Sequence, residues 1–194
     1  MSKFPYYFIR LGLILFVFQI APVHAEEGQL AEAYPPNIKA ENFKLSDLNG
    51  EMHELNDYRG KYVIVNFWSM SCNLCKSEMT TLQSAFELID NEDLVILSIH
   101  AGNSTDGVES VLELNKVTYP VLFDVDLQLG DWGIPIMPTS FIVSPEGDIR
   151  YRVVGTRVWN SPFMIDFIKS IMDSNEPQAA IQKPLPKVFV GQAN

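Results

Sequence analysis

"NFWSMSCNLCKSEM" (residues 66–79) contains both cysteines of the chain, Cys72 and Cys75, three positions apart. It begins inside an unbroken apolar, β-branched and aromatic run, "YVIVNFW" (62–68), which reads as a strand buried on both faces. From Asn73 the period changes. Cys75, Met79, Leu82, Phe86 and Ile89 recur at steps of four and three, which is one face of a helix. The cysteines therefore stand where a buried strand hands over to a helix.

Working outward, "LVILSIH" (94–100) is a second buried strand, and Asp106 to Leu114 reads as a short helix with Asp106 and Glu109 at capping-box spacing. "YPVLFDVD" gives a brief extended segment, and "LQLGDWG" a short helix or turn. "TSFIVS" and "DIRYRVV" follow as strands joined at Pro145-Glu146-Gly147. Ser161-Pro162 opens a last helix to about Met172, with Phe163, Phe167, Ile168 and Ile171 on its inner face. Upstream, "FKLSDLNGEMHEL" alternates around Asn49-Gly50, a hairpin signal. The result is an α/β layout with an antiparallel pair at its end, and crossover helices are expected on both faces of the sheet.

The ends read differently. Residues 1–25 carry Lys3 and Arg10, an apolar run from Leu11 to Ile20, and small residues at Val23 and Ala25, the pattern of a cleaved secretory signal. An uncleaved anchor is the alternative, though the run is short for a span. Residues 26–37 read as a flexible lead-in, 38–173 as the domain, and the Pro/Gln-rich 174–194 as a disordered tail. This places the folded part outside the cytoplasm, most naturally in a bacterial periplasm, where disulfides persist. A net charge of −10 without a basic cluster argues against nucleic acid as a partner.

The pair admits three readings. As a structural staple, a bridge over two residues closes a very small loop and removes little unfolded-chain entropy. As a metal site it lacks partners, because His53 and His100 have no ligand spacing to it. The redox reading has a mechanism. Cys72 precedes a helix whose free N–H groups, those of Asn73 and Leu74 among them, and whose dipole favour a thiolate, and Cys75 is placed to resolve a mixed disulfide. Glu78, three residues after Cys75, is either a proton acceptor for that thiol or a solvated acid favoured by the dipole. Pro138 either starts an edge strand or forms a cis bond with Met137 that offers backbone to an extended substrate.

"VNFWSMSCNLCKSEM", "TYPVLFDVD", "WGIPIMPTSFIVSPEGDI" and "VVG" together resemble the thioredoxin-like TlpA/ResA group of extracytoplasmic thiol–disulfide oxidoreductases, over roughly residues 38–173. The resemblance implies a thioredoxin-like fold: a mixed central sheet flanked by helices, with an N-terminal β-hairpin and a central βα insertion between Asn91 and Asp124. It implies catalytic Cys72 and Cys75, a functional Glu78, a cis-proline at Pro138, Asn66 at a buried strand position, and Trp68 beside Met137 and Pro138 at the substrate. The chain departs from the group at Asn73-Leu74, where Pro is frequent, at Met137, where a β-branched or small residue is usual, and at Ser71, where an aromatic is common. The expected partners are a protein disulfide substrate and a membrane-bound thiol donor, with no cofactor beyond the cysteine pair, and with cytochrome c or copper-site maturation as the suggested setting. The rivals are a copper- or partner-binding module without turnover and a peroxiredoxin-type peroxidase, whose upstream proline is missing here.

Overall fold

A computed structural model describes residues 30–173. The expected signal peptide and tail lie outside the described residues. The elements run β1 (Glu32–Ala33), β2 (Lys44–Ser46), β3 (Met52–Glu54), β4 (Tyr62–Trp68), α1 (Asn73–Ile89), β5 (Leu94–Ala101), α2 (Val108–Leu114), β6 (Val121–Asp124), β7 (Thr139–Val143), β8 (Ile149–Val154) and α3 (Pro162–Asp173). Short 3-10 turns lie at Leu55–Tyr58 and Gln128–Trp132. The apolar run read as a strand is β4, with all seven residues buried.

Six strands form one sheet in the order β1-β8-β7-β4-β5-β6, and β2 and β3 form a separate hairpin. β4, β5 and β6 are parallel, whereas β7, β8 and β1 add antiparallel to them in turn. Alternation along each strand sends side chains to two cores. Ile64, Trp68 and Ile96 join Met79 and Leu82 of α1, Val108 of α2, and Phe167 and Ile168 of α3. On the other face, Val63, Val65, Phe67 and Leu97 meet Phe43, Leu45, Leu55, Leu129 and Trp132.

The three α-helices among the described residues thus share one face, which corrects the expectation of helices on both. The reason is topological. The steps β4 to β5 and β5 to β6 run in the same direction across the sheet, and right-handed crossovers then deposit α1 and α2 on the same side. The opposite face is clad by the hairpin and the 3-10 turns, with Trp132 packed on Phe67 and Phe141 at ring distances of 5.5 and 5.1 Å.

Three further expectations change. Residues 32–33, inside the stretch read as a lead-in, pair with β8, and the Arg152 Nε donates to the Glu32 carboxylate at 3.0 Å. The capping box before α2 is absent, because the cap is Gly107 in the left-handed region at φ 74°, with no side-chain cap bond. In α3 the inward residue of the first turn is Met164, and Phe163 is only half-buried. The hairpin is tied to the sheet by a bridge between Asp47 and Leu122 of β6.

Candidate active site

At the C-terminal end of β4 the chain turns through Ser69–Ser71 and starts α1 with Cys72 as its cap. Cys72 and Cys75 are disulfide-bonded, with their Cα atoms 5.3 Å apart. The capping geometry directs the third helical amide to the cap side chain. That amide belongs to Cys75, and it donates to the Cys72 sulfur at 3.1 Å in the disulfide-bonded pair. Exposure separates the two sulfurs. Cys75 is 2% exposed, whereas Cys72 is half-buried and accessible beside the exposed side chain of Leu74.

Met137-Pro138 is a cis peptide bond, as the resemblance implied. The Met137 carbonyl oxygen lies 3.6 Å from the Cys72 sulfur. The loop is held from both ends: the Thr139 hydroxyl donates to the Ile136 carbonyl at 2.7 Å, and the Gly155 amide donates to the Pro138 carbonyl at 2.8 Å. Next to this loop a groove of about 310 Å³ runs over Phe67, Leu127, Leu129, Ile134, Ile136 and Met137. Ile136 and Leu127 are exposed apolar side chains on it.

Glu78 is 3% exposed, so the solvated-acid alternative fails. It follows Cys75 at helical spacing, with Cβ atoms of such pairs about 5–6 Å apart. The Trp159 indole N–H donates to its Oε1, and its Oε2 is buried without a hydrogen-bond partner among the described residues. Burial pushes its pKa up to about 7, opposed by the Trp159 bond, the Arg157 amide and the Arg157 charge. Two residues of the loop after β8 therefore complete this corner, and no spacing in the chain points to them.

Trp68 is fully buried, with its ring against His100 at 4.8 Å. It therefore supports the site from behind and offers no surface to a substrate, which corrects its expected role. Asn66 lies one pleat deeper. Its side chain donates to the Ser140 hydroxyl at 2.9 Å and accepts from the Ser98 hydroxyl at 3.1 Å, making a polar row across β5, β4 and β7. His100, which desolvation holds below the ordinary histidine pKa, has neither ring nitrogen hydrogen-bonded to a described residue.

The sequence profile of the AhpC/TSA family matches residues 36–152. The chain belongs to the AhpC/TSA family. Within it, the chain is 31% identical over 152 residues to the thiol-disulfide oxidoreductase ResA of Bacillus subtilis, covering 77% of this chain and 85% of that one. The ResA of Geobacillus thermodenitrificans is 34% identical over 118 residues, covering 60% and 68%. Among solved structures, the thioredoxin domain of a Bacteroides vulgatus thiol-disulfide oxidoreductase aligns with a TM-score of 0.62 at 22% identity, over 72% of this chain and 99% of that one. StoA of Bacillus subtilis aligns at 0.56 and 23%, over 73% and 100%.

This AhpC/TSA member has a thioredoxin-like fold and is a thiol–disulfide oxidoreductase of the ResA type. The family match stops at residue 152. Arg157 and Trp159, which hold Glu78, come after it in the chain.

Proposed function

We propose that the protein reduces disulfides of polypeptide substrates outside the cytoplasm, with Cys72 as the attacking sulfur and Cys75 as the resolving one. The observation that carries this is the accessible Cys72 sulfur, capping a helix and lying 3.6 Å from the Met137 carbonyl, with its buried partner Cys75 bonded behind it. In the reduced enzyme the Cys72 thiolate attacks one substrate sulfur. A bond forms between Cys72 and the substrate, and the substrate's other sulfur leaves as a thiolate.

Cys75 then gives its proton to Glu78, whose raised pKa suits exchange near neutrality, and attacks the Cys72 sulfur. The bond to the substrate breaks, the second substrate thiolate departs, and the Cys72–Cys75 disulfide returns. Two electrons have passed to the substrate. A dithiol donor resets the pair by the same exchange in reverse, and a membrane-bound one fits a protein delivered by residues 1–25 to the periplasm.

An extended substrate can pair with the main chain at Met137 and place an apolar neighbour of its cysteine in the adjoining groove. Maturation of cytochrome c or of a copper site, where cysteines must be presented reduced, is the setting we favour. The deciding experiment uses Cys75→Ser, which stops the second step. A mixed disulfide on Cys72, released by dithiothreitol and absent from Cys72→Ser, is expected with disulfide-bearing polypeptides. Failure to trap any adduct rejects the mechanism, and peroxide consumption at rates matching disulfide reduction would replace it with a peroxidase.

A further inference from the structure

The β2–β3 hairpin gathers three metal-ligating side chains. Asp47, Glu51 and His53 each offer a ligand atom, and these atoms all lie within 4.8 Å of one another. Asp47 and Glu51 flank the turn, where the Asp47 amide donates to the Glu51 carbonyl at 2.9 Å. Glu51 and His53 are two residues apart and so fall on one side of an extended chain.

Two carboxylates at a turn are commonplace. The imidazole is not. His53 is 8% exposed, and its Nδ1 lies 2.7 Å from the Tyr58 hydroxyl, with the two rings within 10° of parallel. Its Nε2 is enclosed and has no hydrogen-bond partner among the described residues. That nitrogen faces the Asp47 Oδ2 at 3.7 Å, beyond hydrogen-bond length.

A buried polar atom left in this state calls for a partner. Of the two tautomers open to the ring, the one whose Nδ1 donates to the tyrosine oxygen turns the Nε2 lone pair toward a carboxylate oxygen, and this is the form a ligating imidazole takes. A cation between the two removes the repulsion. One ring nitrogen held by an outer group while the other is free is also how ligating histidines are oriented. The Asp47 carboxylate is oriented in the same way, since its Oδ1 accepts from the Asn49 and Glu51 amides at 2.8 and 2.9 Å.

We propose that Asp47, Glu51 and His53 bind a divalent first-row metal ion of the zinc type. One imidazole nitrogen and two carboxylate oxygens, completed by water, suit that ion. Bonds of about 2.0–2.2 Å at tetrahedral angles put two ligand atoms about 3.3–3.6 Å apart, so the widest pair must close by up to about 1.5 Å. The exposed Glu51 side chain provides that by rotating. The two carboxylates neutralise the ion, and a net charge of −10 raises the local cation concentration. The ion would fasten both hairpin strands at the end where Asp47 bridges to Leu122.

The test is calorimetric titration of zinc chloride into the oxidised full chain, where the disulfide leaves no thiol to compete. One equivalent should bind and raise the thermal midpoint. Glu51→Gln should weaken binding at least tenfold, and His53→Gln should abolish it, with circular dichroism reporting the fold of each variant. If His53→Gln unfolds, the exposed Glu51→Gln substitution decides alone. No binding by the oxidised wild type, equal binding by the variants, or binding only after the disulfide is reduced would overturn the proposal.

Discussion

A carboxyl whose native pKa is about 7 in place of the ordinary 4.5 holds its proton more tightly folded than unfolded. Between those pH values the native chain carries more protons, so stability falls as pH rises and the loss is complete above pH 7. At about 1.4 kcal/mol per unit, the loss is about 3 kcal/mol. Glu78→Gln keeps an acceptor for the Trp159 indole without the ionisation. In urea unfolding of the oxidised proteins, the wild type should therefore lose about 2.5 kcal/mol relative to the variant between pH 5 and pH 8. Matching pH dependences would show that Glu78 titrates normally. The groove supplies a second residue-scale expectation. Ile136→Glu puts a charge on its apolar rim, and the KM for disulfide peptides with apolar flanks should rise roughly tenfold with kcat kept.

Among the elements, the polar row explains why β4 tolerates an asparagine in an apolar run. Asn66, Ser98 and Ser140 are 3%, 0% and 1% exposed, and each meets its partner across the strand register. Asn66→Ala leaves two hydroxyls to find new partners and opens a small cavity, at a cost of about 2–3 kcal/mol in denaturant unfolding. A loss under about 0.5 kcal/mol would mean that the row is replaceable. These central elements were legible because long, strongly periodic segments announce themselves: β4 and α1 begin where the pattern changes. The cap of α2 was not, since a left-handed glycine did the work assigned to Asp106. In α3 a one-residue rotation exchanged Phe163 for Met164, which a short apolar helix cannot signal by spacing.

At the scale of the molecule, the sequence carried the cysteine pair and the proline loop, because each is a local pattern. It did not carry what meets Glu78, because Arg157 and Trp159 lie about eighty residues further on and only the packing of α1 against the post-β8 loop joins them. The half-buried Arg157 also reaches the first described residue, donating from Nε and Nη2 to the Leu30 carbonyl at 3.3 Å each. Its charge opposes the upward push of burial on Glu78. Arg157→Gln should thus move the pH window of stability loss to higher pH, read by the same urea series. An unmoved window would assign Arg157 to anchoring the N-terminal segment alone.

One property of the sheet bears on life at high local concentration. Its outer strands are stubs, two residues in β1 and four in β6, and the hairpin's Asp47 is already bonded across to β6 at Leu122. Lateral accretion of a neighbouring molecule, strand by strand, therefore finds almost no template on either margin. In the proposed mechanism an encounter that leads to pairing is left to the Met137 rim beside the Cys72 sulfur, so the fold would separate doing chemistry on other chains from sticking to them.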